Sequence, residues 1–463
     1  RSISTADHSG SSSTRLTPRM PDPIPGIVWP PLTGAPIEML AQLRATEKLT
    51  HSQIRAGQLR QLQALASHAR EQTAWGGQYL PEKLTWESFQ ALPVLDRTFV
   101  QTHEQELFAA QWPAEHGMAY EVLTSGSTGT PVRVWKSRLA GALWQVVTAR
   151  DHLRHRRELG LTLGAIRKLP AAPYPGRYGT SWGEAAEMLG GSGATWMLNI
   201  DTPPQLQINW LDEHDDIAYL LTYPSNLSEI LRLCEQRGSR WPALREIRTV
   251  SEPVADELRT RCRETLGVEI VDQYSTQEVG YIALQRPDRT GFYELSDTHV
   301  VEVLDDDGNP CAPGEIGRVV VTPLHNFCMP LFRYAVGDLA LVGEPGPLPY
   351  PVIDRVLGRT RNLLLAPDGT RRWVFLGTKG LMKAAPLVQI QFVQVALDRV
   401  EVRLVAERPV TTAEEHAMRA HLSPHFGDGI EFTFSYVDHI PRGAGGKFED
   451  FICAVREDPA RSP

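Results

Sequence analysis

Several things are scarce in this 463-residue chain, and each scarcity narrows its role. Cysteine occurs five times (Cys234, Cys262, Cys311, Cys328 and Cys453), widely spaced and never as a C-x-x-C pair. That argues against a disulfide framework or a zinc site and for buried or indifferent thiols in a reducing compartment. No apolar run approaches the length of a membrane span. There is no basic excess: the formal net charge is −8, which excludes a general nucleic-acid binder or a partner of anionic membranes. Residues Arg1 to Pro25 are rich in Ser, Thr and Pro but lack an apolar core, so they do not read as a secretory signal. Residues 1–26 read as a disordered arm, or as residues foreign to the native chain ahead of Met20. A cytoplasmic enzyme is the expectation. No internal repeat is visible, and lysine is missing entirely between Lys168 and Lys379.

What is present is ordinary globular material, 42% hydrophobic and 22% charged, long enough for two or three structural units. Helical spacing of apolar residues predicts a helix from Leu40 to Arg70 and a second over Arg138 to Leu153. Pro170 to Gly193 is punctuated by Gly and Pro and reads as irregular. Between Ile217 and Val271 short apolar runs alternate with helical ones, the pattern of β-α units and a largely parallel sheet. From Gly291 to Leu341 strands follow one another, which predicts a β-barrel-like subdomain. After Gly358 a compact α+β unit begins, with a hairpin (Gln389–Leu397, Arg399–Ala406), a helix (Thr412–Leu422) and a strand (Ile430–Val437). The expected fold is therefore α/β with α+β. A large N-terminal domain (27–358) of mixed sheets flanked by helices is followed by a small mobile C-terminal domain (359–463).

Five short segments carry chemistry-bearing side chains. In Thr124-Ser125-Gly126-Ser127-Thr128-Gly129-Thr130-Pro131, hydroxyls and glycines follow a strand-like run. Backbone N–H groups and hydroxyls in such a loop can cradle phosphate oxygens; the plain alternative is a polar turn. The G-K-[ST] ending of a Walker A loop is missing. Asp272-Gln273-Tyr274-Ser275-Thr276-Gln277-Glu278 follows the apolar Val268–Val271 run and is expected as a loop at a strand's carboxyl end, where α/β sheets bind ligands. Its ring can stack on a base and its carboxylate can hold Mg²⁺ on phosphate; a surface loop is the alternative. Arg333-Tyr334-Ala335-Val336-Gly337-Asp338 and Gly358-Arg359-Thr360-Arg361-Asn362 place a carboxylate and guanidinium groups where ribose or phosphate could be met, although each alone reads as a charged turn. Pro441-Arg442-Gly443-Ala444-Gly445-Gly446-Lys447 ends a flexible glycine loop on an isolated lysine, suited to reach developing negative charge, or else simply solvated.

Taken in order, these segments resemble the signature set of the adenylate-forming superfamily: acyl-CoA synthetases, peptide-synthetase adenylation domains and beetle luciferases. Leu65-Ala66-Ser67-His68-Ala69, Leu92-Pro93-Val94-Leu95 and Met329-Pro330-Leu331-Phe332-Arg333-Tyr334 are similar to the phenylacetate–CoA ligase and capsular-biosynthesis branch. The resemblance runs from about Leu40 to Phe451. It implies that Thr124, Ser125, Gly126, Ser127, Thr128 and Gly129 cradle the triphosphate of ATP. It further implies that Ser251, Glu252 and Pro253 line the adenine, with Asp272 near its amino group and Tyr274 stacked on the ring. Gln273, Ser275, Thr276 and Gln277 complete that nucleotide-binding segment. Glu278 would ligate Mg²⁺, Asp338 hold the ribose, and Arg359 assist at ribose or phosphate. Thr128, Glu278 and Lys447 would stand nearest the chemistry, and Arg361 at the interdomain hinge. Three residues depart from the family pattern: Gln277 replaces Ser or Thr, Thr130 replaces Lys, and Arg361 replaces Asp or Lys.

The implied activity is ATP-dependent activation of a carboxylic acid as an acyl-adenylate, followed by transfer to coenzyme A. An amino acid or other amine, or the thiol of a separate carrier protein, are the alternative acceptors. A non-catalytic nucleotide-binding relative is the reading from a different class, disfavoured by intact Glu278, Asp338 and Lys447. Tyr174–Trp182 and Tyr223–Asn226, with Tyr223, Pro224 and Trp182 foremost, are the substrate-pocket candidates and suit an aryl or cyclic acid.

Overall fold

The computed structural model describes residues 23–124, 131–359, 363–366, 370–372, 374, 378–427, 429–443 and 446–455. The expectations placed on Ser125, Gly126, Ser127, Thr128, Gly129 and Thr130, on Arg361, and on residues 1–22 lie outside the described residues. Among those described, no helix is long and apolar enough to cross a membrane.

The helix expected over Leu40–Arg70 is two helices, Pro36–Thr46 and His51–Gln72. Thr50 explains the break: its hydroxyl accepts from the Gln53 N–H while the Gln53 side chain returns to the Thr50 N–H, a capping box that restarts the helix. The helix predicted from Arg138 spans Arg138–Arg154, capped by Ser137. Pro170–Gly193 is mostly irregular, with one short strand and one helical turn.

Strands β1 (Ala119–Leu123) and β2 (Arg133–Ser137) form an antiparallel hairpin. Strands β3 (Thr162–Arg167), β4 (Arg177–Gly179), β5 (Thr195–Asn199), β6 (Ile217–Thr222), β7 (Glu246–Thr249) and β8 (Glu269–Thr276) follow. After them come β9 (Gly280–Gln285), β10 (Phe292–Glu294), β11 (His299–Leu304), β12 (Ile316–Pro323), β13 (Tyr334–Val342) and β14 (Val352–Arg359). The twelve from β3 to β14 build one sheet in the order β11-β12-β13-β14-β10-β9-β8-β7-β6-β3-β5-β4. Strands β5, β3, β6, β7 and β8 run parallel, as the β-α alternation predicts. Two connecting helices, Pro224–Arg237 and Asp256–Leu266, each stop at a left-handed residue, Gly238 and Gly267, where a Cβ would be strained.

The barrel-like subdomain is replaced by an open arrangement. β9 to β14 pair antiparallel in a linear ladder that ends at β11 and joins the parallel strands edge to edge through β8. The changeover occurs within β8: Asp272 pairs in parallel with Thr249, and from Gln273 onward the strand pairs antiparallel with β9. Asp272–Thr276 is therefore strand rather than loop, and only Gln277–Val279 turn. The backbone continues as strand because β9 returns directly and satisfies its N–H and C=O groups.

Strands β15 (Leu364–Leu365) and β16 (Arg371–Arg372) make a small pair. Strands β17 (Leu387–Ala396), β18 (Arg399–Ala406), β19 (Glu431–Tyr436) and β20 (Phe451–Cys453) form a separate sheet, ordered β19-β18-β17-β20. Helix Thr412–Phe426 supplies Met418, Leu422 and Phe426 to an apolar cluster with Phe392, Val402 and Leu364, distinct from the clusters under the large sheet. The expected hairpin, helix and strand are all found there.

Candidate functional site

Two sequence motifs quoted for their pattern meet in space. Leu95 pairs with the strand start at Tyr334: its N–H donates to the Arg333 carbonyl at 3.0 Å, and its own carbonyl accepts from Ala335 at 2.9 Å. The Arg333 guanidinium donates to the carbonyls of Gln90 and Leu92 and pairs with Glu302 at 3.1 Å. This clamp fixes Arg97 on one side and Asp338 on the other.

Arg97 donates to the Thr124 hydroxyl at 3.2 Å and lies 3.6 Å from Glu278. Thr124 also receives the Val132 N–H at 2.9 Å, so its hydroxyl closes the base of the first loop. Glu278 is buried and faces cations on several elements: Arg97, Arg359, Lys136 and Lys447. A single carboxylate of this kind suits Mg²⁺ carried on substrate phosphates, which takes one or two protein carboxylates and fills its other positions with phosphate oxygens and water.

Asp338 and Arg359 face one another across β13 and β14, with Nε 3.1 Å from Oδ1. The Tyr274 hydroxyl donates to the other Asp338 oxygen at 2.8 Å, and Arg359 also donates to the Val336 carbonyl at 2.8 Å. Burial, and then the adjacent Asp338 carboxylate, hold the Tyr274 phenol far above its ordinary pKa, so it stays a donor. Asp338 is thus oriented from two sides.

Asp272 is buried and accepts from Thr249 and from the Gln273 N–H, both at 2.9 Å; burial raises it to about 6. Ser251, Glu252 and Pro253 lie on the turn after β7, where Ser251 adopts a left-handed φ of 75°. Glu252 does not offer a free carboxylate. It accepts from the Ser225 N–H (2.9 Å) and hydroxyl (3.0 Å) and from the Phe448 N–H (2.6 Å), with Arg442 at 3.6 Å. Glu252 thereby seats the glycine loop, and Lys447 beside Phe448 points among Arg359, Asp338, Glu278 and Glu252. Burial, and secondarily Arg359, lower the Lys447 pKa, while the three carboxylates oppose that shift. Gln277 is exposed and Thr276 caps the turn by accepting from the Val279 N–H at 3.3 Å. Gln273 has a buried side-chain oxygen with no partner among the described residues, and Ser275 is half-buried.

A cavity of about 270 Å³ opens beside Glu278, walled by Tyr120, Lys136, Trp144, Tyr281 and His325. Trp144 and Tyr281 stack at 4.1 Å. Tyr223, Pro224 and Trp182 do not line it. The Trp182 indole donates to the Leu161 carbonyl and packs on Tyr219. Pro224 opens a helix. Tyr223 lies under the glycine loop, where a Cβ on Gly446 would come within 3.3 Å of its hydroxyl. Sequence reasoning missed Arg97 and Lys136. The first lies two residues beyond the Leu92–Leu95 motif, and the second is a rare lysine near the end of an alternating strand, so both left a readable trace. The five cysteines are free, and burial pushes Cys234, Cys262 and Cys328 up to about 12.

A model of the AMP-binding enzyme family matches residues 35–327, and a CapK C-terminal domain model matches residues 379–453. The chain is 24% identical over 210 residues to Protein CapK of Staphylococcus aureus, covering 42% of this chain and 44% of that protein. It is 30% identical over 122 residues to a phenylacetate–coenzyme A ligase of Thermus thermophilus, covering 25% and 27%. The chain thus spans less than half the length of these curated relatives. A crystal structure of 2-hydroxyisobutyryl-CoA ligase in the postadenylation state, bound to R3-HIB-AMP, superposes with a TM-score of 0.67 at 18% identity. That superposition covers 89% of this chain and 91% of the other.

Proposed function

Because this chain belongs to the AMP-binding enzyme family, we propose that it activates a compact carboxylic acid as its acyl-adenylate and passes the acyl group to coenzyme A. One observation carries the reading: five segments far apart in sequence bring Thr124, Glu278, Asp338, Arg359 and Lys447 to one cleft, next to a cavity of about 270 Å³. Two of the relatives are named phenylacetate–coenzyme A ligases, which supports both an aryl acid and a thiol acceptor.

In this reading ATP lies across the carboxyl end of the parallel strands. Its ribose hydroxyls donate to Asp338, oriented by Tyr274 and Arg359. Its triphosphate meets the loop whose base is Thr124, with Ser125, Gly126, Ser127, Thr128 and Gly129 as the cradle. Ser251 and Pro253 flank the adenine. Glu278 would hold Mg²⁺, which would supply charge neutralisation on the phosphates. The acid's carboxylate oxygen attacks the α-phosphorus as the bond to pyrophosphate breaks, and the Lys447 ammonium stabilises the charge that develops there. The acceptor thiolate then attacks the acyl carbon and AMP departs.

Lys447 occupies the approach that an acceptor needs. The C-terminal unit (359–463) therefore withdraws between the two half-reactions, turning about Arg361 and leaving the large unit (27–358) in place. The free thiols fit a cytoplasmic setting. Acid-dependent ATP–pyrophosphate exchange, followed by product analysis with coenzyme A and with amines, tests the proposal. Exchange without any acyl-CoA, but with amide in its place, would move the acceptor from thiol to amine. No exchange with any acid would end the adenylation reading.

A further inference from the structure

The C-terminal unit meets one helix of the large unit, Pro224–Arg237, at both of its ends. At the start, Tyr223 lies beneath Gly446 and Arg442 donates to the Ser225 hydroxyl, while Ser225 and the Phe448 N–H both donate to Glu252. At the last turns, Arg232 and Gln236 donate to one oxygen of Glu407, at 2.9 and 2.8 Å. Glu407 follows directly on β18, and its own N–H donates to the Pro386 carbonyl at 2.9 Å. It is therefore fixed to the body of the C-terminal sheet rather than to the glycine loop. Between the two ends Glu229 is buried, 3.4 Å from Arg232 and facing Arg442.

The spacing explains why these groups share a face. Ser225, Glu229, Arg232 and Gln236 follow one another at four, three and four positions, which sets them in one row along a helix. Leu227, Ile230, Leu231 and Cys234 take the other side and pack into an apolar cluster of the large unit. The row is entirely polar, so water can take it over when the surfaces part, whereas an apolar row would be costly to expose. Ser225 and Gln236 lie about 16 Å apart along the axis at 1.5 Å per residue. Contacts that far apart define a direction, while the inner one alone would hold the glycine loop and let the unit pivot on it. Direction matters here, because a displacement of about 1 Å at reacting groups can slow a reaction about 10²-fold. Resting on the two-orientation reading above, we propose that Glu407 is a positioning residue for Lys447: docked on Arg232 and Gln236, it latches the C-terminal unit in the adenylating orientation and lets go for acyl transfer. An exposed ion pair adds little to overall stability, but a small bias is enough to shift two orientations of similar free energy.

The direct readout is hydrogen exchange of the Phe448 amide in ligand-free protein, followed by mass spectrometry, since it scales with the undocked fraction however small that is. Glu407→Gln should speed it by about two- to fivefold, and Glu407→Arg, which sets two guanidinium groups together, by about tenfold. The ratio of acyl transfer from supplied acyl-AMP to acid-dependent ATP–pyrophosphate exchange should move toward transfer by the same factor, with melting temperature unaltered. Arg232→Met should mimic Glu407→Gln, and the double variant should fall short of the product of the two single effects. Raising KCl from about 0.1 to 1 M, which cuts the screening length from about 10 to 3 Å, should narrow the gap between wild type and Glu407→Arg. Unchanged Phe448 exchange in Glu407→Arg overturns the proposal. So does an unchanged ratio with both half-reactions slowed alike, which would make Glu407 a merely structural residue. Faster Phe448 exchange in a protein that shows no pyrophosphate exchange with any acid would retain the latch and end the adenylation reading instead.

Discussion

The two sides of the cleft are held in different ways. On the large-sheet side, Tyr274, Asp338 and Arg359 project from strands β8, β13 and β14, and their mutual geometry is set by backbone register before any side chain moves. On the opposite side, Lys447 reaches the cleft from a glycine loop whose seat is largely one carboxylate, Glu252, receiving the Phe448 N–H and facing Arg442. In the proposed reading, one side is a wall and the other a lid. The wall costs nothing to reorganise during reaction, because its hydrogen bonds exist beforehand. The lid can leave by giving up a few polar contacts, each worth about 0.5–3 kcal/mol net. The two lysines show the same division. Lys447 is surrounded by carboxylates on arrival, while Lys136 is built into β2 and carries its burial at all times.

The sharpest way to break this contrast is Lys447→Ala. Acyl-adenylate formation should fall by about 10²–10³-fold, while acyl transfer from supplied acyl-AMP stays near normal; pyrophosphate release and acyl product are followed separately. Equal losses in both steps would make Lys447 part of the wall.

Lys136→Met should act on stability rather than on the lid. Burial lowers Lys136 from its ordinary 10.5 to about 8, opposed by Glu278 and Cys328; His299 lies on the same side. The folded state thus binds its proton less readily than the unfolded chain. The penalty is full below about pH 8 and vanishes as pH rises toward 10.5, where both states are neutral. It amounts to roughly 3 kcal/mol at about 1.4 kcal/mol per pH unit. The variant should therefore melt higher than wild type at pH 7 in the absence of ligand, with the gap closing toward pH 10. A constant gap across that range would assign the gain to packing.

Tyr274→Phe keeps the ring and deletes one buried hydrogen bond to a carboxylate, an expected loss of about 1.5–3 kcal/mol. Chemical denaturation should register it, and ATP affinity measured by calorimetry should fall as Asp338 loses an orienting donor. Unchanged ATP affinity would mean that Asp338 does not meet the nucleotide. The smallest effect is expected for Glu252→Gln, which keeps one acceptor oxygen, sets its amide NH2 against the N–H that the other oxygen received, and drops the charge facing Arg442. Adenylation should decline by about tenfold, with melting temperature and acyl transfer unaltered. A drop in melting temperature would show that Glu252 supports the body rather than the lid.

How far the sequence could be read follows the same division. The β-α alternation from Ile217 to Val271 was legible because parallel strands buried on both faces leave unbroken apolar runs. The C-terminal hairpin, helix and strand were legible through their periods, and the structure adds a cap at Thr411. The helix break at Thr50 was missed because the apolar spacing runs on across it, so that only the cap marks the restart. The antiparallel ladder was expected to close, since local strand patterns do not say which edges meet. Asp272–Thr276 was expected as a loop, and polar composition misled there: the Asp272, Tyr274 and Thr276 side chains bond inward, to Thr249, Asp338 and the turn at Val279. Glu252, expected at adenine, accepts from the Phe448 N–H, and Tyr223, expected at the acid, lies beneath Gly446. Each contact joins residues about two hundred positions apart, which no local pattern encodes.

Strand β8 also limits how this chain can vary over evolutionary time. Asp272, Tyr274 and Thr276 alternate along it, each buried and each tied to a different neighbour, while Gln273 and Ser275 face the other way. A single inserted or deleted codon between Asp272 and Thr276 would turn every later side chain to the opposite face. It would exchange a phenol for a serine or an amide opposite Asp338 and shift the turn that presents Glu278. Length changes should therefore be tolerated in the Pro170–Gly193 stretch and in the 305–309 turn, while β8 keeps its residue count even where its composition drifts.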